Sequence, residues 1–274
     1  MKKLALLACT AFVFGSAASA FAQDCKPAHR FDTVKPGAIT VAAINFPPYG
    51  MVAPDGGAAG IDGDILKEIA KRECLEINVI PVDGAAALNY VTSGRADIAY
   101  GDWYRTKART AVMNFSDPLY LDQVAVVSKD GSDTIKALEG KFVGTMQGNF
   151  YVADMKKVFG PKLKLYPSLV AVQQDLMSGR IDAYPESFAA TMYAKSKGQL
   201  SGYEVKLLKP DERVPATAEP SQVGYPMRKE SKDMLEAFNA TIAELQKDGF
   251  IVNVLKSYGV DPSAADTGAP RFLE

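Results

Sequence analysis

The sequence predicts an α/β protein built as two similar lobes, and three observations point there. Strand-like and helix-like segments alternate along the chain. The pattern Ser93-Gly94-Arg95-Ala96-Asp97 recurs as Ser178-Gly179-Arg180-Ile181-Asp182, each copy between a helical and a strand-like stretch. A chain of 274 residues is long for one domain and comfortable for two.

The first segment stands apart. Lys2 and Lys3 precede an apolar run from Leu4 to Phe14, and small residues follow. Ala18-Ser19-Ala20 and Ala20-Phe21-Ala22 both fit the A-x-A cleavage pattern. Residues 1–22 are expected to be a signal peptide cleaved after Ala22, with Ala20 as the alternative site. The run is too short for a bilayer, which needs roughly 20 residues. No later stretch is apolar enough for a transmembrane helix. The expected product, Gln23 to Glu274, is exported and soluble.

In the expected mature chain, Ile39 to Ile44 reads as a strand. Asp62 to Glu73 reads as a helix, with Ile65, Leu66 and Ile69 at helical spacing and Asp62 as its N-cap. Ile77 to Val82 is a strand, Ala85 to Thr92 a helix and Ala96 to Tyr100 a strand. The order repeats as Phe142 to Met146, Tyr151 to Val158, Leu163 to Tyr166, Val170 to Met177 and Ala183-Tyr184, so mainly parallel sheets are expected. Helices are expected from Ser231 to Lys247 and from Phe250 to Tyr258. Each glycine of the repeated pattern suits the left-handed position that ends a helix. The two copies therefore bring Gly101-Asp102-Trp103-Tyr104 and Pro185-Glu186-Ser187-Phe188 to equivalent sheet edges, where open α/β sheets bind ligands. Leu121 to Lys129 and Val223 to Arg228 read as crossovers between lobes. Lobe I is expected at 23–122 plus 224–274 and lobe II at 123–223, with two short connections forming a hinge.

Composition narrows the function. With 47% hydrophobic and 23% charged residues, a sizeable core is expected. Net charge is −1, and removing Lys2 and Lys3 takes it to −3, so no nucleic-acid partner is expected. His29 is the only histidine. A histidine metal site or a Ser-His-Asp triad would rest on that residue alone, and neither a metal nor a cofactor is expected. Cys9 leaves with the signal peptide, and Cys25 and Cys74 remain. In an oxidising compartment they predict a disulfide stapling the N-terminal arm to the end of the first helix. The alternative is two separate thiols.

Five stretches then occur in order: Phe46-Pro47-Pro48-Tyr49, Gly60-Ile61-Asp62-Gly63-Asp64-Ile65, Ser93-Gly94-Arg95-Ala96-Asp97, Thr106-Lys107-Ala108-Arg109 leading to Phe115-Ser116-Asp117-Pro118-Leu119-Tyr120, and Val143-Gly144-Thr145-Met146-Gln147-Gly148. With Leu235 to Tyr258, they cover nearly the whole mature chain. On them the chain resembles the periplasmic solute-binding proteins of polar amino-acid ABC transporters, bacterial extracellular solute-binding family 3. The resemblance implies a two-lobed, type II-like periplasmic-binding-protein fold. It also implies a small polar amino acid, or a related amine or carboxylate, held between the lobes, and an inner-membrane ABC permease as partner. A monomer in the periplasm, with no covalent chemistry, is expected.

The resemblance places the carboxylate-binding arginine at Arg109, whose planar fork makes paired charge-assisted bonds. Arg105 is the nearby competitor, read as a solvated or interlobe charge. The segment Gln147 to Phe150 is expected to turn backbone N–H groups toward the same anion, with Asn149 as a contact or a helix cap. Phe46, Tyr49, Trp103 and Phe150 are the aromatic candidates for stacking on the ligand, Trp103 being equally well a core residue. Tyr104 stands where relatives often carry a small hydroxyl residue. Many relatives bind the α-ammonium with an aspartate just after the second repeat, and this position is Ser187. Asp102 and Glu186 are therefore the candidates for the amine, with Glu186 otherwise an exposed acid at a helix start. An enzyme on the same scaffold, similar to periplasmic cyclohexadienyl dehydratases, is the alternative, with Glu186 as general acid. A sensor acting through a separate receptor is the third reading.

Overall fold

A computed structural model describes residues 25–273. The expected signal peptide lies outside the described residues. Two mixed five-stranded sheets form the centres of two lobes. The first has the order Glu76–Pro81, Ala38–Ala43, Ile98–Tyr100, Pro226–Arg228, Met113–Phe115, and the second Leu163–Tyr166, Val143–Met146, Ala183–Ser187, Val124–Ser128, Glu204–Leu207. The orders match position for position: second strand, first, third, a strand arriving from the other lobe, then a last one. The first three pair in parallel, as the helix crossovers require. The arriving strand pairs antiparallel on both sides. Strand–helix alternation reveals only the parallel half, because the arriving strands enter without an intervening helix.

Between the sheets, Tyr120–Asp122 pairs antiparallel with Ser221–Val223, aligning Tyr120 with Val223 and Asp122 with Ser221. The chain leaves the first sheet through one of these strands and returns through the other.

The first helix runs from Gly60 to Arg72 and buries Ile65, Leu66 and Ile69 against Phe238, Ile242 and Leu245 of the Lys232–Lys247 helix. Its N-cap is Ala59, with no side-chain cap. Asp62 lies inside the first turn and serves the cleft instead. On the opposite face of this sheet, Ala87, Val91 and Ala96 pack with Trp103 and Phe115. The second sheet is likewise covered on both faces by separate clusters.

The repeated pattern has one job in both lobes. Gly94 and Gly179 adopt φ of 71° and 72°, and each following aspartate ties the chain to the first strand's entrance. Asp97 accepts from the Thr40 N–H at 2.7 Å, and Asp182 accepts from the Phe142 N–H at 2.8 Å. The lobes then differ: Ala183–Ser187 continues through Glu186, which pairs with Ala125. Glu186 is thus a buried strand residue, 5% exposed, and not an exposed acid at a helix start. Antiparallel pairing with the arriving strand extends this element beyond its apolar stretch.

Cys25 and Cys74 are joined, with Cα atoms 5.7 Å apart. Cys74 takes a left-handed φ of 57° just past the helix. Beside the bond, Glu73 accepts from the His29 backbone N–H at 2.8 Å and lies 2.7 Å from His29 Nδ1, so the arm is held by more than the sulfurs.

Candidate functional site

The lobes meet across a cavity of about 220 Å³. The loops after Ala38–Ala43 and Ile98–Tyr100 form one wall. The loops after Val143–Met146 and Leu163–Tyr166 and the end of Ala183–Ser187 form the other. Met146, Phe150, Leu169 and Ala189 of the second lobe pack against the first lobe's core, so the lobes are in contact around it.

Phe46 sits in a tight turn, with N–H to O bonds to Gly50 in both directions at 2.8 and 3.1 Å. Its ring stacks on Tyr49, with centroids 6.0 Å apart, and Tyr49 stacks on Tyr120 at 5.1 Å. The turn crosses a glycine-only junction: a Cβ on Gly101, whose φ is 120°, would meet Ile44 Cγ1 at 2.1 Å.

Beyond Gly101 the chain is pinned by Asp62. The Gly101 and Asp102 N–H groups donate to Asp62 at 2.8 and 3.0 Å, and the Tyr120 hydroxyl donates at 2.6 Å. This fixes Asp102 at φ 63°, in the left-handed region. Asp102 lines the cavity, and its Oδ1 is buried without a hydrogen-bond partner. Burial first, then the charges of Asp122 and Asp62, raise its pKa well above the carboxylate range.

Arg109 is carried on a short helix, Lys107–Thr110, capped by Thr106 Oγ1 accepting from the Arg109 N–H at 3.3 Å. Its guanidinium donates to the Tyr104 carbonyl at 2.8 Å and to the Gly148 carbonyl of the second lobe at 3.4 Å. It also lies over the Trp103 ring, 5.0 Å from the centroid. Burial lowers its pKa to about 10, which leaves it charged at neutral pH.

Tyr104 stands behind this group, its ring 4.9 Å from that of Phe150 and its hydroxyl donating to Asp122. Tyr49 donates to the other Asp122 oxygen at 2.9 Å, and the Ser187 hydroxyl donates to Tyr49 at 3.3 Å. A chain of bonds therefore runs from the first lobe through the strand pair to the second. Asn149 is not a helix cap: its amide donates to Thr145 Oγ1 at 3.2 Å, to the Tyr151 hydroxyl at 2.8 Å and to Glu186 at 3.5 Å. The helix that follows has no side-chain cap. Burial raises the Glu186 pKa to about 7.

The cavity thus brings together Phe46, Asp102, Trp103, Tyr104, Arg109, Asn149, Phe150 and Glu186. Tyr49 and Ser187 are buried outside its lining. Ser187 instead caps the next helix, accepting from the Ala190 N–H at 3.1 Å. Trp103 is both lining and core. Arg105 is not a solvated charge: buried, it donates to Gln222 Oε1 at 2.7 Å and to the Arg271 carbonyl at 3.0 Å, which makes it a structural fastener. Asp62, Asp122 and Tyr151 are the residues that sequence reasoning missed. The one available signal for Asp122 is that it is the only charged residue between Asp117 and Lys129.

Residues 39–261 match the family model of bacterial extracellular solute-binding proteins, family 3. The chain is 29% identical over 213 residues to the L-cystine-binding protein TcyJ of Escherichia coli (strain K12), covering 74% of this chain and 75% of that protein. It is 27% identical over 268 residues to the histidine-binding periplasmic protein of Salmonella typhimurium (strain LT2), covering 94% and 97%. Among solved structures, an ancestral arginine-binding protein bound to glutamine superposes with a TM-score of 0.70 at 28% identity, covering 82% of this chain and 98% of that one. A substrate-binding protein of an ABC uptake transporter from Streptococcus pneumoniae with bound histidine gives 0.72 at 23%, covering 82% and 94%, and shares the fold.

Proposed function

The chain belongs to the bacterial extracellular solute-binding proteins, family 3, and we propose that it captures a small polar amino acid, or a related amine-bearing carboxylate, between its lobes for an inner-membrane ABC permease. In this reading the signal peptide is cleaved, and the mature protein works in the periplasm as a monomer. Lobe I comprises 23–122 with 224–274, and lobe II comprises 123–223. Capture is binding and lobe closure without a covalent step. Among the described residues, no helix is long and apolar enough to cross a membrane.

One observation supports this reading above the others. One half-buried guanidinium, Arg109, shares a small interlobe cavity with the acids Asp102 and Glu186. That is the charge pattern of a zwitterion's two ends, the carboxylate on Arg109 and the ammonium on Asp102 or Glu186. Phe46, Trp103 and Phe150 supply apolar walls for the remainder.

Native mass spectrometry of freshly purified protein, with identification of any co-purified small molecule, tests the reading. Calorimetry with L-cystine, L-histidine and L-arginine follows, and prephenate and arogenate are assayed for turnover. Binding without turnover is expected. Turnover of either cyclic acid would replace the trap with the dehydratase reading. Tight binding that survives both Asp102→Asn and Glu186→Gln would remove the ammonium assignment.

A further inference from the structure

We infer that the Asp102 carboxyl, backed by Asp122, is an exchange site: it holds one proton in the empty cleft and one ammonium group of the ligand in the filled cleft, so capture of the cation releases about one proton. This rests on the reading of the cleft as a ligand trap and adds how its amine subsite works.

The geometry separates the two acids. Asp122 is 4% exposed and takes hydroxyl donors from Tyr49 and Tyr104. Burial raises its pKa above the ordinary carboxylate value, and those bonds, which favour the charged form, offset part of the rise. Asp102 receives no donor at Oδ1, although that atom is buried and the residue lines the cavity. Next to it Trp103, 7% exposed and on the same wall, has an indole N–H that is also buried without a partner. Unpaired polar atoms at a cavity wall are costly, and a ligand group or a proton removes the cost.

The charges around Asp102 set what it accepts. Asp122, Asp62 and Glu186 all disfavour a second negative charge there. Asp122 interacts with Asp102 directly, and a bond between two carboxyls exists only while one of them is protonated. The phenols of Tyr49, Tyr104 and Tyr120 are neutral donors to Asp122 and Asp62, and their pKa values are raised by burial and by these acids. Arg109 is the cation that interacts with Asp102, and its fork is directed to the Tyr104 and Gly148 carbonyls. Two carboxyls with no bridging cation share a proton, and a bound ammonium satisfies both without one. The group that fits is therefore a compact N–H-bearing cation. Because it competes with a proton, affinity rises with pH until Asp102 ionises unaided.

Two measurements test the exchange. Infrared difference spectra of the ligand-free protein at about pH 8, above the value of about 7 for Glu186, should show a carboxylic-acid carbonyl band that Asp102→Asn removes. Calorimetry of the wild-type protein with L-arginine, L-histidine and L-lysine, in two non-amine buffers of different ionisation heat, should report about one proton released per cation bound. Affinity should climb with pH, by up to about tenfold per unit, for as long as Asp102 is protonated in the ligand-free protein. Binding with no proton release, or a spectrum identical in Asp102→Asn, overturns the exchange while leaving the trap intact. If none of these three amino acids nor L-cystine binds and no small molecule co-purifies, the trap reading fails and takes the exchange with it. The buffer comparison needs no variant, so it tests the exchange even where Asp102→Asn folds poorly.

Discussion

The Arg109 guanidinium lies over the face of Trp103, 5.0 Å from the ring centroid. The aromatic face stabilises the half-buried cation, and the Tyr104 carbonyl fixes its orientation. The fork is thus held in place before any ligand arrives, which limits the ordering cost of binding.

Replacing Arg109 should consequently cost more than a charge. Arg109→Ala is expected to abolish retention of the co-purified ligand. Arg109→Lys keeps the charge but loses the paired donors of the planar fork, and should weaken Kd about 100-fold, roughly 3 kcal/mol. Calorimetry on both variants, with circular dichroism to verify folding, checks this. Near-native affinity in Arg109→Lys would show that the carboxylate is held elsewhere.

Glu186 should make stability depend on pH. In the unfolded chain its carboxyl ionises near the ordinary value of 4.5, and in the folded protein burial delays this to about 7. Between those values the folded state binds more protons, so stability falls as pH rises through the window and levels off above it. The loss attached to this group is about 3 kcal/mol. Glu186→Gln should therefore raise the Tm of ligand-free protein at about pH 8 and change it little at about pH 4. A Tm difference that is the same at both pH values would refute this.

What is legible in the sequence and what is not separate by distance along the chain. Ile65, Leu66 and Ile69 repeat at helical spacing and are all fully buried, because local periodicity reports a helix face directly. The cleft wall carrying Arg109, Asp102 and Trp103 follows from ordered motifs within a few residues of one another. Asp62 reads as a cap because a cap is the local use of an aspartate at a helix start. Its actual partners lie 39, 40 and 58 residues away. Asp122 likewise bonds Tyr49 from 73 residues away, and nothing in its own neighbourhood announces that. Bonds between segments this far apart in sequence arise only once the first sheet and the crossover strand beside it are assembled.

The disulfide should affect stability and leave binding alone. Its ends are 49 residues apart in sequence, for which the chain-entropy model gives about 4 kcal/mol as an upper value. The His29–Glu73 contacts persist without it and should limit the loss. The double variant Cys25→Ser/Cys74→Ser is expected to unfold at lower denaturant with an unchanged ligand Kd, measured by urea titration and calorimetry. A large change in Kd would mean that the arm reaches the cleft's geometry.

Gln222 should prove one of the most sensitive uncharged positions. Buried on the returning strand, its amide nitrogen donates to the Thr267 and Ala269 carbonyls, both at 2.8 Å. Its oxygen accepts from Arg105 Nη1 and from the Arg271 N–H, both at 2.7 Å. One side chain therefore fastens the C-terminal tail to the strand pair and to the segment leading into the Arg109 helix. Leu273 completes the seam, donating to the Arg105 carbonyl at 2.9 Å and accepting from the Lys107 N–H at 2.8 Å. Gln222→Leu fills the same space but leaves the Arg105 guanidinium with the Arg271 carbonyl alone and strands the Arg271 N–H and two tail carbonyls, so a loss of about 3 kcal/mol is expected. Gln222→Glu can still accept from Arg105 but can no longer donate to the tail, and should be intermediate at neutral pH. Urea denaturation of the two variants orders them, and ligand affinity should weaken with the same ranking because the Arg109 helix starts from this seam. A Gln222→Leu protein within about 0.5 kcal/mol of wild type would show that the tail is held by its backbone bonds alone.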